Sequence, residues 1–190
     1  FSLKTSYCFP KIFPDSKNSF KQIIALLKNA QRPILIAGWG VHLSKTEVEL
    51  IKLIEYFHIP IALTWGGADL LPSNHELYIG TFGTHGNRHA NFAVQNADLI
   101  ISLGTRLDTK STGSPITTFA RDAKKIMIDI DPTELAKFNT FGLTFDILIE
   151  DDLREFFKCF LSKINEEKVG SNFQKWISTI KSWENEFEKI

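Results

Sequence analysis

Short apolar runs alternate with longer amphipathic segments along most of the chain. The runs lie at 34–37, 59–64, 99–103 and 126–131, and a last one is expected within 143–149. Strands made of continuous Ile and Leu are buried on both faces, which is typical of a parallel sheet that helices cover. The alternation therefore predicts an α/β fold with a doubly wound, mainly parallel sheet and helices on both faces.

Between these runs, apolar residues recur at helical spacing. The spacing predicts helices over 16–30, 44–57, 87–96 and 151–164. Ser44 stands three residues before Glu47, which is the pattern of a capping box at the start of the second helix. Two segments show neither the continuous apolar run of a buried strand nor the helical spacing of apolar residues: the glycine-rich stretch 65–86 and the segment 112–124. We expect irregular connections there.

The two ends of the chain differ from its middle. We predict an extended arm and a first helix over residues 1–31. We predict the central α/β domain over residues 32–165. Residues 166–190 predict a connector helix with one apolar stripe, formed by Trp176, Ile180, Trp183, Phe187 and Ile190. Such a stripe packs either on its own domain or against a further domain or a partner subunit.

Composition narrows the class of protein. With 190 residues, 43% hydrophobic and 23% charged, the chain resembles an ordinary globular domain and not a disordered one. The net charge of zero argues against a nucleic-acid partner, which requires a basic excess. No apolar run approaches the roughly 20 residues of a membrane span, so no membrane partner is expected.

The cysteine pattern indicates a reduced compartment. Cys8 and Cys159 lie far apart and form no Cys-x-x-Cys pair, so neither a zinc site nor a disulfide framework is predicted. We expect both thiols to be buried and structural. We also expect the protein to be cytoplasmic, because no signal-peptide pattern is present.

Candidate ligand-binding residues follow the predicted strands, because open parallel sheets bind ligands beyond their carboxyl ends. Glycines let a backbone approach a ligand closely, and amides at helix starts favour phosphate oxygens. Arg106 could clamp a phosphate, and an aspartate such as Asp129 could accept a hydrogen bond from a ribose hydroxyl. Each feature alone is also explained by a tight turn, since glycine is the common turn residue.

Several established motifs are absent. Leu43 stands where a Gly-x-Gly-x-x-Gly fingerprint starting at Gly38 would have its third glycine, and no P-loop or Gly-x-Ser-x-Gly elbow occurs. His85 and His89 are four residues apart, but Gly86 occupies the position of the metalloprotease glutamate. We therefore predict no metal site and no catalytic residues in this chain.

The ordered set of motifs resembles the central domain of thiamine-diphosphate-dependent enzymes of the acetolactate synthase group. The segments that carry the resemblance are RPILIAGWG at 32–40, IPIALT at 59–64, GTFGTHG at 80–86, AN at 90–91, NADLII at 96–101, GTRLD at 104–108, FA at 119–120 and IDIDPTEL at 128–135. The resemblance implies a Rossmann-like domain, similar to the nucleotide-binding fold of deoxyhypusine synthase.

The resemblance also implies a three-domain parent enzyme. In the family, a preceding domain supplies the glutamate that activates thiamine, and a following domain supplies a Gly-Asp-Gly motif and an asparagine for Mg²⁺ and the diphosphate. This sequence has no Gly-Asp pair. We therefore expect a non-catalytic middle domain whose partners are the flanking domains of the same polypeptide, in a parent that is a homo-oligomer.

The parent is expected to make or break a carbon–carbon bond next to a carbonyl, as in acetolactate synthase or a 2-keto acid decarboxylase. It would use thiamine diphosphate and Mg²⁺, both held by other domains, and the 190-residue chain alone would be inactive. Two alternatives stay open. One is a free-standing nucleotide-binding or scaffold module without catalysis. The other is a sirtuin-like NAD-consuming enzyme, which two cysteines disfavour because its zinc site needs four.

In acetolactate synthases this domain binds FAD, and the resemblance carries that role to matched positions. The candidate cofactor-binding residues are Gly38, Gly40, Thr64, Gly83, His85, Gly86, Arg106, Asp108, Asp129 and Asp131. Three positions depart from the family's pattern: Trp39, Trp65 and Thr109. A bulky indole in the glycine cluster could fill the space of the adenine or flavin. We therefore predict that FAD, or an ADP-type nucleotide, binds weakly or not at all.

Overall fold

A computed structural model describes residues 16–167 and 173–187 of the chain. Its strands are β1 (Pro33–Ala37), β2 (Ile61–Leu63), β3 (Tyr78–Thr81), β4 (Leu99–Leu103), β5 (Lys124–Asp129) and β6 (Ile147–Glu150). Its helices are α1 (Ser16–Asn29), α2 (Gly40–Ser44), α3 (Glu47–Phe57), α4 (Arg88–Asn96), α5 (Thr109–Thr112), α6 (Pro132–Ala136), α7 (Phe138–Phe141), α8 (Leu153–Glu167) and α9 (Gln174–Phe187). None of these helices is long and apolar enough to cross a bilayer.

The six described strands form one sheet in the order β3-β2-β1-β4-β5-β6, and every neighbouring pair is parallel. This is the strand order of the Rossmann fold. The chain moves outward from β1 to β3 and then returns to place β4 beside β1. Because crossovers are right-handed, the helices before and after this reversal cover opposite faces. The predicted doubly wound fold is confirmed.

The core lies on both sides of the central strands. All residues of β1, β2 and β4 are buried, which explains their continuous apolar sequence. On one face, aromatic rings from α1, α3 and α8 meet, with Phe160 5.5 Å from Phe20 and 6.5 Å from Phe57 between ring centroids. These contacts tie α1, α3 and α8 to one another although the three helices are distant in sequence.

The observed elements differ from the prediction at two places in the first half. The helix predicted over 44–57 begins later, at Glu47 of α3, because Lys45 adopts a left-handed conformation with φ 56°. The short helix α2, which ends at Ser44, was not predicted. The capping box is wrong: the Ser44 hydroxyl donates to Gly40 O at 2.8 Å, and Thr46 is the N-cap of α3. Strand β3 was not predicted and lies within the stretch 65–86.

Two further expectations need correction. The strand predicted over 126–131 ends at Asp129, and Asp131 instead caps the start of α6. Cys159 is exposed, so its thiol is not buried as expected. The physical reason is that Cys159 lies on the solvent side of α8, whereas Phe157 and Phe160, its near neighbours in sequence, lie on the buried side. Cys8 and the arm over 1–15 lie outside the described residues.

Helix α9 packs on the domain's own helix α4. Trp176 and Ile180 of the predicted stripe are buried. The Trp183 ring lies 5.2 Å from that of Phe92 on α4, and His89 Nε2 lies 3.6 Å from Glu184 Oε1. The described part of the stripe therefore packs on α4 of its own domain, which is the first of the two predicted alternatives.

Candidate functional site

A cavity of about 660 Å³ opens at the carboxyl ends of five strands, within the usual range for small-molecule sites. It lies over the point where β1 and β4 diverge, which is the topological switch point of this strand order. Its lining residues are Trp39, Gly40, Leu43, Thr64, Trp65, Gly66, Phe82, Thr84, His85, Gly104, Thr105, Arg106, Leu107, Asp108, Lys110, Ser111, Asp129, Ile130, Asp131 and Glu134.

The structure brings most of the sequence-predicted site residues to this cavity. Those that line it are Gly40, Thr64, His85, Arg106, Asp108, Asp129 and Asp131. Gly38, Gly83 and Gly86 do not line it. A Cβ on Gly38 would meet Thr105, and one on Gly86 would meet the backbone of Phe82. The predicted edge of the sheet is thus the site of the cavity, while the binding role of each residue stays a prediction.

The loops after β1 and β4 touch through glycine. A Cβ on Gly40 would lie 2.6 Å from the Gly104 Cα, closer than real side chains approach backbone. The Gly40 amide donates to Gly104 O at 2.9 Å, and the Gly38 amide donates to Leu103 O at 3.2 Å. These glycines therefore hold two loops together, and their amides donate within the protein instead of facing the cavity.

The loop glycines after β3 also have internal partners. The Gly83 amide donates to Asn91 Oδ1 at 2.7 Å, and the Gly86 amide donates to Gly83 O at 3.0 Å. The amides of Gly83 and Gly86 therefore have partners within the protein, and the binding role of these two glycines stays a prediction. The predicted place of this loop at the sheet edge is correct, but its hydrogen bonds serve the turn before α4.

Arg106 is held by an acidic partner at the bottom of the cavity wall. Its Nε donates to Glu134 Oε1 at 2.9 Å, and its Nη2 lies 2.7 Å from the same oxygen. Lys137 Nζ donates to Glu134 Oε2 and to Arg106 O. The Arg106 side chain is 79% exposed, so it can still meet an anion, but Glu134 already compensates much of its charge.

Burial and these partners oppose each other at Glu134. Burial raises the pKa of its carboxyl, but hydrogen bonds from Arg106 and Lys137 outweigh burial, and the pKa lies below its ordinary value. The hydrogen bond to Glu134 in turn raises the pKa of Arg106. Glu134 is therefore ionised near neutral pH, and its charge fixes the position of the guanidinium.

Asp108 and Asp131 cap the short helices that follow β4 and β5. Asp108 Oδ1 accepts from the Ser111 amide at 3.0 Å, and Asp131 Oδ1 accepts from the Thr133 amide at 2.8 Å. The hydrogen bond from the Thr133 hydroxyl contributes most to lowering the pKa of Asp131. Each carboxylate therefore has a structural role in addition to the predicted contact with a ligand hydroxyl.

Asp129 is a second buried carboxylate of the cavity wall, beside Glu134. It is 8% exposed, and its Oδ1 accepts from the Asp131 amide at 3.0 Å. Burial raises its pKa, and the nearby charges of Glu134 and Asp131 add to this effect. A ligand that removed more water from Asp129 would raise the pKa of this carboxyl further.

Aromatic and aliphatic side chains form the open rim. Trp39 and Trp65 are 55% and 68% exposed, although both are large apolar residues. The Trp65 ring lies 5.1 Å from the His85 ring, and the Trp39 ring lies 4.9 Å from that of His42, between centroids. Leu43 and Ile130 add exposed aliphatic surface. The rim thus offers planar apolar surfaces to a ligand.

The lining residues that the sequence did not mark as candidates include Leu43, Lys110, Ser111 and Glu134. Ser111 could have been found from Asp108, since a serine three residues after an aspartate is a common helix-start pattern. Glu134 belongs to a quoted segment, but its partner Arg106 is 28 residues away, and only the adjacency of β4 and β5 brings them together.

His85 and His89 have different surroundings. His85 is exposed and stacks on Trp65, whereas His89 is buried on α4 beside Glu184. Among residues 16–167 and 173–187, no three His, Cys, Asp or Glu side chains are grouped as metal ligands would be.

Comparison with known families gives the decisive observation. Residues 20–157 match the family described as thiamine pyrophosphate enzyme, central domain. The chain belongs to this family. The match covers the whole sheet of the central domain, from α1 through β6, and extends into α8.

Relatives of the domain carry one recurring name. The chain is 37% identical over 170 residues to a probable acetolactate synthase large subunit of Methanococcus aeolicus, covering 85% of the chain and 28% of that protein. It is 32% identical over 179 residues to the acetolactate synthase large subunit of Cyanidium caldarium, covering 93% of the chain and 30% of that protein. It is 33% identical over 170 residues to the acetolactate synthase large subunit of Corynebacterium glutamicum, covering 89% of the chain and 26% of that protein. The chain spans less than a third of the length of these relatives.

Proposed function

We propose that the chain is the central, non-catalytic domain of an enzyme that uses thiamine diphosphate and Mg²⁺ to make or break a carbon–carbon bond next to a carbonyl. Acetolactate synthase and 2-keto acid decarboxylases are the activities in view. Thiamine diphosphate, when bound, supplies the carbanion-stabilising chemistry of such reactions. In this proposal the flanking domains of the same polypeptide hold both cofactors, the parent is a cytoplasmic homo-oligomer, and residues 32–165 form the central domain.

One observation carries this proposal: the family match extends across 20–157, while the relatives named acetolactate synthase are more than three times as long as the matched region. The chemistry of the cavity agrees with a supporting role. The buried carboxyl of Asp129 has a raised pKa, but Arg106 is paired with Glu134, and Asp108 and Asp131 cap helices. None of these groups is placed as a nucleophile with an adjacent base.

The cavity fits a nucleotide only in part. Its volume and its aromatic rim suit a planar heterocycle. The amides of Gly38, Gly40 and Gly83 donate within the protein, and this supports weak binding of a phosphate group. We therefore keep the prediction that FAD or an ADP-type nucleotide binds weakly, with Trp39 as the residue that takes its space and Arg106 as a residue that would contact it.

The proposal is tested on the native gene product. Its reading frame should encode flanking domains, including a Gly-Asp-Gly motif after the central domain, and intact-mass measurement should give a chain far larger than 21.6 kDa. A mature native protein of 21.6 kDa would end the proposal.

The second candidate is a free-standing nucleotide-binding or scaffold module. The cavity at the switch point is the observation that favours it, because nucleotides bind there in open α/β sheets. Reading-frame length separates the two candidates. A short frame, together with micromolar binding of a nucleotide by the purified chain, would favour the module.

A further inference from the structure

His42 lies between two carboxylates that belong to different segments of the chain. Its Nδ1 is 2.8 Å from Glu47 Oε1 at the start of α3, and its Nε2 is 2.9 Å from Asp69 Oδ1 in the loop after β2. A carboxylate at neutral pH only accepts hydrogen bonds, and a neutral imidazole has a single N–H. Both contacts can therefore be hydrogen bonds only when the ring is the doubly protonated imidazolium.

These contacts join the two loops that carry the exposed tryptophans of the cavity rim. Trp39 stands three residues before His42, and its ring lies 4.9 Å from the His42 ring. Trp65 stands four residues before Asp69. A Cβ on Gly66 would lie 3.2 Å from the Trp39 Cβ, so the loops already touch beside the cavity. The imidazole adds an electrostatic link at the outer side of this contact.

The loop that Asp69 belongs to is fixed at both ends. The Thr64 amide donates to Ala37 O at 3.0 Å, and Leu70 is buried. Between these anchors, Trp65 and Asp69 are mostly exposed. Gly67, inside this segment, is buried, and its amide donates to Thr64 O at 2.9 Å. Loss of the link to His42 would therefore loosen the exposed residues Trp65 and Asp69 on either side of Gly67 and leave the sheet intact.

We propose that His42 is a pH-dependent clasp of the cavity rim: its imidazolium holds residues 65–69 against α2, and deprotonation, which leaves one N–H for the two carboxylates, loosens that hold. The inference goes beyond the proposed function and does not depend on it. It concerns access to the cavity, since Trp39 and Trp65 both line the mouth. Opening of this loop changes the separation of the two indoles and so changes which ligands can enter.

The electrostatics of the site agree with the geometry. The hydrogen bond to Asp69, followed by that to Glu47, raises the pKa of His42 above its ordinary value. Asp69 and Glu47 are the groups whose charge acts on the ring. The contact with His42 is the main cause of the lowered pKa of Asp69. His85, which stacks on Trp65 from the loop after β3, is a separate titratable neighbour of the same segment.

The direction of the pH effect follows from linkage. A histidine with a raised pKa in the folded protein contributes stability fully below its unfolded pKa of about 6.5, and loses it as pH rises through the folded pKa. The clasp is therefore closed in mildly acidic solution and opens as pH increases above about 6.5 through the His42 midpoint.

The experiment follows His42 and the loop separately in the purified protein. The imidazole Cε1–H resonance should titrate with a midpoint above about 6.5. Amide-exchange protection factors of residues 65–69 should fall as pH rises through that midpoint, by about two- to five-fold, which is the range that an ion pair with an exposed member supplies. Protection factors are used because they are corrected for the intrinsic pH dependence of exchange.

Variants make the test specific. In His42→Gln the pH dependence of protection at residues 65–69 should disappear, whereas it should persist in the control His85→Gln. Asp69→Asn, at a residue whose side chain is 78% exposed, should fold normally and lower the His42 midpoint. A His42 midpoint at or below about 6.5, equal protection on both sides of it, or retained pH dependence in His42→Gln would overturn the proposal.

Discussion

The glycines of the cavity act first on the protein's own backbone. Gly40 and Gly104 belong to loops after neighbouring strands, and the contact between them leaves no room for a Cβ. A glycine in a close backbone contact cannot be told in the sequence from a glycine beside a phosphate. The contact between the two loops was therefore not predicted. Thr64, Arg106 and Asp129 do reach the cavity as the sequence indicated.

Substitution of Gly40 by Ala should be costly. The new Cβ would lie 2.6 Å from backbone that β4 and β1 hold in place, so we expect a loss of about 3 kcal/mol in the free energy of unfolding, the upper end for overpacking. Urea denaturation measures it. Gly66→Ala is the matched control, since its Cβ would come no closer than 3.2 Å to its nearest neighbour, the Trp39 Cβ. Equal losses in the two variants would contradict the account.

Trp39 should limit flavin binding. Its indole lines the cavity and contacts His42, and the resemblance puts a small residue there. We expect Trp39→Ala to bind FAD at least about ten-fold more tightly than the natural chain, which corresponds to about 1.4 kcal/mol. Flavin fluorescence during titration measures both affinities, with Trp183→Ala as a control away from the cavity. Micromolar saturation of the natural chain would refute the prediction of weak binding.

Asp129 should make stability depend on pH. Its folded pKa is raised by burial above the unfolded value of about 3.9, so the group favours the folded state at low pH and loses that contribution as pH rises through the folded pKa. Asp129→Asn keeps the acceptor oxygen and removes the charge. We expect the variant to be the more stable protein at pH 7 and to match the natural protein near pH 3. Urea denaturation at pH 3 and pH 7 measures the free energy of unfolding, with Asp122→Asn, at an exposed residue, as the control. The same change in stability between the two pH values for Asp129→Asn and the natural protein would show the prediction to be wrong.

At the scale of elements, prediction succeeded where an apolar run is continuous. Strand β4 has the predicted bounds, since Leu99–Leu103 is buried on both faces. Strand β3 was missed because it lies at the edge of the sheet and contains Gly80, whose φ of 100° interrupts a strand pattern. The later start of α3 was missed because Lys45, not a glycine, adopts the left-handed conformation.

Helix α9 should be held to α4 mainly by Trp176. The indole is 4% exposed, and among the described residues its Nε1 has no hydrogen-bond partner. We expect Trp176→Ala to cost about 3–5 kcal/mol in the free energy of unfolding. Trp176→Phe should cost much less, because it keeps an aromatic ring and removes a buried donor without a partner. Thermal unfolding measures both, with exposed Lys181→Ala as the control, and an equal loss in the Ala and Phe variants would contradict this view of the interface.

At the scale of the whole molecule, the sequence was sufficient for the fold class and for the edge of the sheet that bears the cavity. Apolar runs fix which segments are strands, and the parallel arrangement then places their carboxyl ends together. The ion pairs in and beside the cavity could not be predicted from the sequence. Arg106 with Glu134, and His42 with Asp69, join residues 28 and 27 positions apart, and each depends on which loops lie side by side.

In the proposed function, the chain supports a thiamine-dependent carbon–carbon reaction that other domains catalyse. The most direct test measures acetolactate and CO₂ formation from pyruvate, and decarboxylation of other 2-keto acids, by the complete natural gene product and by the 190-residue chain. We predict turnover by the complete product that requires both thiamine diphosphate and Mg²⁺, and none by the chain alone. Turnover by the chain alone, or a complete product that consumes no 2-keto acid with both cofactors present, would contradict this proposal.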